Sequence, residues 1–347
     1  MDVFITGAGW ITPLGAGLDG VWDAILAGTP APVRALTGPA GRKAHLAACV
    51  APKLVDAVAR NPRLRRSSNI SLFAAAAALA ALNEAGLDPA NPGRCALIFA
   101  TSDGSVIYTR KFYEQVVRDG AGSPILFPET VYNAPGSHIA ALLGLNGMTY
   151  TLVGDASVGL AAMAMAVELL ASGQVDHCVV AGAEEADWVL CEAYSQWRLA
   201  TAAGAISVGS KRGALVADGG AAIVLSREGR VRLEAVSDGV PFFRQSEAAH
   251  CLGAALGQLP GGISPRRVIS SANGTFVDAA ERAAVEKTYG TVETIYPKVS
   301  LGDAFGAGAL MQVICAMQSL KRQGGMVLVP VIGLNQQASA VAVSAGE

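Results

Sequence analysis

The chain has 347 residues, 52% of them hydrophobic and 16% charged, with 40 glycines and a formal net charge of −2. That balance excludes a disordered chain, and the length is ample for a large buried core of tightly packed α/β structure. A charge so near zero gives no reason to expect nucleic acid or an anionic membrane as partner.

The opening Met1-Asp2-Val3-Phe4-Ile5-Thr6 reads directly as a strand and lacks the basic start of a signal peptide, so a cytoplasmic location is expected. Gly7-Ala-Gly9 and Thr12-Pro13-Leu14-Gly15 are turn signals. Residues 18–28 are expected to be a helix carrying Trp22, and 30–50 irregular surface with a short strand near Leu46–Val50. Arg60, Arg63, Arg65 and Arg66 precede an alanine-rich helix over 70–86. The cluster offers two readings, a solvated surface or a docking patch for an acidic carrier protein or other acidic partner. The longest apolar stretches, such as Leu72 to Leu82, fall short of the roughly 18–20 residues that span a bilayer.

Cys95–Ala100 reads as a buried strand, followed by a helix with Tyr108, Phe112 and Tyr113. An extended loop, Ser123 to Asn133, leads to a helix at 134–143 and a strand at Thr149–Val153. The six cysteines are scattered, with no CxxC pair, so buried free thiols are expected and neither metal nor cofactor is.

Gly154-Asp155-Ala156-Ser157-Val158-Gly159 then opens a helix, Leu160 to Ala171, that is apolar nearly all round and so belongs inside a core. Asp155 or Ser157 is expected to cap it, and Gly173 to stop it. The run 177–182 is a strand, a helix follows to about 196, and Ala214–Leu225 is read as two short strands. Val231–Val236 starts a second cycle. Gly302-Asp303-Ala304 opens another apolar helix, Phe305 to Leu320, which returns as strand Met326–Ile332. It repeats Gly154-Asp155-Ala156 with its helix and strand, so an internally duplicated α/β fold is expected, with two helix N-termini converging on one site.

At this point the chain resembles the β-ketoacyl synthases, which elongate carrier-bound acyl chains. The resemblance rests on Val3-Phe-Ile-Thr-Gly-Ala-Gly with Pro13-Leu-Gly15, Pro124 to Asn133, and Ser172 to Glu184. Ala272-Asn-Gly-Thr275, Lys298 to Asp303-Ala-Phe-Gly-Ala, and Gly333-Leu334 continue it in order. It implies a thiolase-like duplicated βαβαβαββ fold layered α/β/α/β/α, with halves at 1–228 and 229–347. In register, the family's nucleophilic cysteine falls on Ala156 and its two histidines on Asn273 and Asp303. Lys298 is retained, with an acid at Glu281, and the gating segment is replaced at Leu334.

Condensation needs a thiolate and neutral imidazoles that polarise the thioester and stabilise an enolate, and none stands here. The resemblance therefore implies a non-catalytic, chain-length-factor-like subunit of a polyketide or aryl-polyene system. Its expected partner is an active ketosynthase in a heterodimer, with an acyl carrier protein as a second partner. Leu126, Phe127, Thr130, Tyr132 and Asn133 would then lie at the partner's acyl tunnel or fill the interface. Other readings stay open: acyl transfer or hydrolysis by Ser157, malonyl decarboxylation, or a small-ligand module.

Overall fold

The computed structural model describes residues 2–145 and 147–346. The first half runs β1 (Phe4–Ile11), α1 (Leu18–Leu26), β2 (Val33–Leu36), β3 (His45–Ala48), α2 (Asp56–Ala59), α3 (Asn69–Glu84) and β4 (Cys95–Thr101). It continues α4 (Val106–Asp119), α5 (Ala134–Leu142), β5 (Thr149–Val153), α6 (Val158–Ala171), β6 (His177–Glu184), α7 (Trp188–Gln196) and β7 (Gly219–Ser226). The second half runs β8 (Val231–Val236), β9 (Val240–Pro241), α8 (Ala248–Leu256), β10 (Arg267–Ile269), α9 (Phe276–Tyr289) and β11 (Glu293–Ile295). It ends with α10 (Pro297–Leu301), α11 (Phe305–Gln323), β12 (Met326–Ile332) and β13 (Gln337–Ala345).

The strands follow the order β11-β10-β12-β13-β8-β1-β7-β6-β4-β5, with β9 beside β13. Both ends of this path obey one plan. β4 runs parallel to β5 and β6, and β7 is antiparallel to β6 and β1. Likewise β10 runs parallel to β11 and β12, and β13 is antiparallel to β12 and β8. The two sheets join where Phe4 and Ile5 of β1 face Arg232 and Val231 of β8. Each half is therefore βαβαβαββ, as expected, with α3, α5 and α6 in the first matched by α8, α9 and α11 in the second.

Burial explains the layering. α3 and α5 cover one outer face with an alanine-rich core, and α8 and α9 cover the other. α6 and α11 lie between the sheets in the largest apolar cluster. Their first turns touch through two glycines. A Cβ at Gly159 would stand 3.1 Å from the Gly306 carbonyl, and one at Gly306 only 2.9 Å from Val158 and the Glu184 carboxylate. The helix N-termini therefore converge, as the repeat predicts.

Gly7-Ala-Gly9 is not a turn but lies inside β1 and pairs with β7. Three further expectations change. The stretch 30–50 contains a hairpin, β2 with β3, because Val33–Leu36 pairs in register with His45–Ala48. Ala214–Leu225 contains one strand, β7, not two, since residues 214–217 make only isolated bridges, to Ala200, Asp303 and Ala48. The third concerns α6, which is not enclosed. Leu160, Ala162, Met163, Ala166 and Leu170 are buried, but Ala161 and Glu168 are exposed and Met165 and Leu169 half-buried. The sheets and α11 cover one side only. α11, by contrast, is buried around nearly its whole circumference. Among the described residues no helix is long and apolar enough to cross a membrane, and the six cysteines are free.

Candidate functional site

Ala156 is buried at the mouth of α6, and its N–H donates to Asp155 Oδ1 at 2.8 Å. Asp155 Oδ2 accepts two more amides from across the molecule, Asn335 N–H at 3.1 Å and Gln337 N–H at 3.0 Å. Burial holds this carboxyl above the usual range, against the pull of the three amides, and Asp303 adds to the rise. Ser157 occupies the N-cap position with helical backbone angles, φ −74° and ψ −5°, and makes no capping bond. A capping side chain folds back from an extended residue, so a helical one is badly placed. Its Oγ donates instead to Gln337 Oε1 at 2.6 Å. Neither expected residue caps α6. Both hold the β12–β13 turn.

At the head of α11, Asn273 and Asp303 meet. Asn273 Nδ2 donates to Asp303 Oδ2 at 2.8 Å, and Lys298 Nζ lies 2.9 Å from Asp303 Oδ1. Thr275 Oγ1 donates to Asn273 Oδ1 at 2.6 Å, and Phe305 N–H to Asp303 Oδ1 at 3.2 Å. All are buried. Glu281 is buried beside them, accepting the Ser270 and Ser271 hydroxyls and the Ser271 N–H at 2.7 Å. Burial pushes it up to about 7, although these hydrogen bonds and Lys298 pull the other way. The one ammonium and the one amide of this network are both turned to Asp303. No imidazole joins them. His45 faces Glu192 at 2.6 Å, His138 faces Glu129 at 2.7 Å, His177 heads β6, and His250 lies on α8.

A second acid bridges the two heads. Asp103 is pushed up to about 6, first by burial and then by Asp155 and Asp303, and its Oδ2 is buried with no hydrogen-bond partner among the described residues. Glu184 below accepts Thr101 Oγ1 at 3.2 Å and Asp103 N–H at 3.1 Å, and burial holds it well above the usual range. The space around position 156 is therefore rich in carboxylates, with Lys298 as their nearby cation. Leu334 is half-buried against the cluster of Tyr194 and Phe305, whose rings stack at 4.9 Å. Phe305 holds φ +38°, unfavourable for a non-glycine residue, and the stack helps keep it there.

The loop 124–133 reaches the neighbour of Asp103 at one end. Phe127, Tyr132 and Asn133 are exposed, and Leu126 and Thr130 half-buried. Phe127 packs on Phe112 of α4 at 5.7 Å, and Tyr132 lies against Gly104. Glu129, which sequence reading treats only as part of a motif, clamps the loop. It accepts Ser68 N–H at 3.2 Å and pairs with His138. Apolar exposure continues from the loop along α4, where Val117 is 86% exposed, and to Tyr150 and Val153 on the free edge of β5. An apolar hollow of about 510 Å³ lies on α4, lined by Val106, Tyr113, Val117 and Val189. Arg60, Arg63, Arg65 and Arg66 are exposed ahead of α3.

Known proteins match this description. Residues 1–230 match the family described as "Beta-ketoacyl synthase, N-terminal domain". The 3-oxoacyl-[acyl-carrier-protein] synthase 2 of Vibrio cholerae is 23% identical over 189 residues, 53% of this chain. That match spans 46% of the relative, so less than half of its length. The ishigamide ketosynthase/chain length factor superposes with a TM-score of 0.87 at 17% identity, covering 100% of this chain and 99% of that one. A β-ketoacyl synthase from Burkholderia phymatum gives 0.83 at 18%, covering 100% of both. A ketosynthase in complex with its chain length factor, from Xenorhabdus doucetiae, gives 0.81 at 15%, covering 99% and 98%. These identities speak to fold alone. With two thirds of its length matched to one family and the duplicated fold complete, the chain belongs to the β-ketoacyl synthase family.

Proposed function

We propose that this chain is a chain-length-factor-like subunit that pairs with an active β-ketoacyl synthase and shapes its acyl tunnel. Chain elongation of the polyketide, aryl-polyene or fatty-acid type is the setting, and the boundary between the halves is placed at 228/229. The observation that carries the reading is the open side of α6, where Glu168 is the one charge among Ala161, Met165 and Leu169, next to an alanine at its head. Together with the free edge of β5, α4 and the loop 124–133, that side leaves apolar surface that a monomer rarely exposes. Such a surface suits an obligate interface, commonly more than ~2,000 Å². Two of the structural neighbours are a ketosynthase/chain length factor and a ketosynthase with its chain length factor, which supports a partner of that kind. The exposed arginines at 60, 63, 65 and 66 suit an acidic carrier protein as a further partner.

The other readings fare worse on chemistry. Ser157 has no histidine base and its hydroxyl is engaged by Gln337. Decarboxylation of a malonyl group would place an anion among Asp103, Asp155 and Asp303. Condensation would require a nucleophile that Ala156 cannot supply.

The test is reconstitution with the ketosynthase partner. Size measurement should give a heterodimer, and Phe127→Ala or Tyr132→Ala should lengthen the product while the complex persists. Unchanged product lengths for every substitution from Leu126 to Asn133, in an intact complex, would remove the chain-length role. Ala156→Cys alone should leave this chain without condensing activity, since groups that act as a unit do not contribute singly.

A further inference from the structure

We propose that Asp155 is an internal latch whose carboxylate fills an amide cradle between α6 and the β12–β13 turn, closing the head of α6 to acyl thioesters. The latch deepens the partner-subunit reading and takes its biological meaning from it: a closed head would leave the growing chain to the active partner. Its geometry stands without that reading.

Asp155 accepts Ala156 N–H from its own helix and Asn335 and Gln337 N–H from a turn 180 and 182 residues away. Among the described residues it has no cationic partner. Ser157 ties Gln337 a second time, through its side chain, and Gly333 N–H donates to Gln337 carbonyl oxygen at 2.9 Å to close the turn. Gly333 lies flat on the carboxylate, where a methyl group would overlap it. From outside, Asn335 Nδ2 donates to Tyr194 Oη at 3.3 Å and Gln336 Nε2 to Phe243 carbonyl oxygen at 3.1 Å. The turn is thus held on both sides.

Acyl transfer at a helix head needs free N–H donors where the carbonyl oxygen gains charge. Here the Ala156 N–H is spent on Asp155, and an incoming oxyanion would meet that carboxylate. The missing thiol is therefore not the only reason for inertness. The donors themselves are occupied.

Hydrogen exchange on the full chain tests the latch without any partner. Asp155→Ala and Gly333→Ala should each speed exchange at the Asn335 and Gln337 amides more than tenfold, through loss of charge-assisted hydrogen bonds. In the double variant the effects should not add, because the new methyl group then has nothing to overlap. Asp155→Asn, which keeps size and one acceptor, should fall between and covers the case in which Asp155→Ala does not fold. Unchanged exchange, or additive effects, would overturn the latch. Exclusion is read in the Ala156→Cys background with a small octanoyl thioester. The introduced thiol takes the acyl group and releases the small thiol, and intact mass follows the adduct. Adding Asp155→Ala should raise that rate at least tenfold, and an unchanged rate alongside faster exchange would overturn the exclusion. Neither measurement involves product length, so the partner reading fails or survives separately.

Discussion

The heads of α6 and α11 open with the same three residues, Gly-Asp-Ala, at equivalent places in two repeats, yet their aspartates end in opposite surroundings. Asp303 receives the Lys298 ammonium at 2.9 Å and the Asn273 amide at 2.8 Å. Asp155 receives only backbone amides, two of them from the other half of the molecule. The difference lies in what precedes each helix. The second half inserts α10, carrying Lys298, between β11 and α11, whereas β5 runs to α6 with no such element. One motif becomes an ion pair in the first case and a latch in the second. Their helices diverge likewise, α11 enclosed and α6 open along one side. A local motif thus sets where a carboxylate stands, and the neighbouring segment sets what it does.

The contrast breaks most severely at Lys298. Lys298→Met should cost about 3–5 kcal/mol in denaturant unfolding, because it strands a buried Asp303, and adding Asp303→Asn should recover part of the loss. Asp155→Asn should cost less, since its donors are neutral amides. Equal losses would mean that the two heads are energetically alike.

The contact between the helices comes next. Gly306→Ala should cost about 1–3 kcal/mol, as its methyl would press on Val158, Glu184 and the Ser102 backbone. Gly159→Ala meets its neighbours at 3.1–3.2 Å and should cost less. The reverse order in unfolding midpoints would place the tighter contact on α6.

Titration separates the halves by another route. Burial pushes Glu185 in the first half up to about 8 and Glu281 in the second up to about 7. The folded chain therefore keeps protons that the unfolded chain releases near pH 4.5. This stability is present in full below that pH and is lost as pH rises through 7 to 8. Unfolding at pH 6 and 8.5 should show the chain less stable at the higher pH, by on the order of 1 kcal/mol or more per group. Glu281→Gln should flatten the part of the slope near 7, and Glu185→Gln the part near 8. A slope of opposite sign would show both acids ionised in the fold.

The smallest effect is expected at Ser157. Ser157→Ala removes one hydrogen bond to Gln337 and should cost about 1 kcal/mol in thermal unfolding, with no change in acyl labelling. A covalent acyl adduct that disappears with this substitution would restore Ser157 as a nucleophile.

Much of the architecture is determined by sequence alone. Apolar runs of helical or strand length, broken by glycine, place α3, β4, α6, α11 and β12, because backbone punctuation and burial periodicity are local properties. The repeated Gly-Asp-Ala gives the duplication, and of the residues that register singles out, Asn273, Asp303 and Lys298 meet in one buried network. Tertiary structure alone decided the rest. The Asp155 cradle joins residues 180 and 182 apart, which no local pattern records. The open side of α6 is invisible in a helix apolar on every face, since composition states what can be buried and only packing states what is. Ser157 had the residue type of a cap but a helical backbone, and Asp155 had the residue type but turned its carboxylate to the amides of Ala156, Asn335 and Gln337. Capping needs an extended residue whose side chain folds back on its own helix, and both side chains instead found partners on a turn that arrives only when the two halves close.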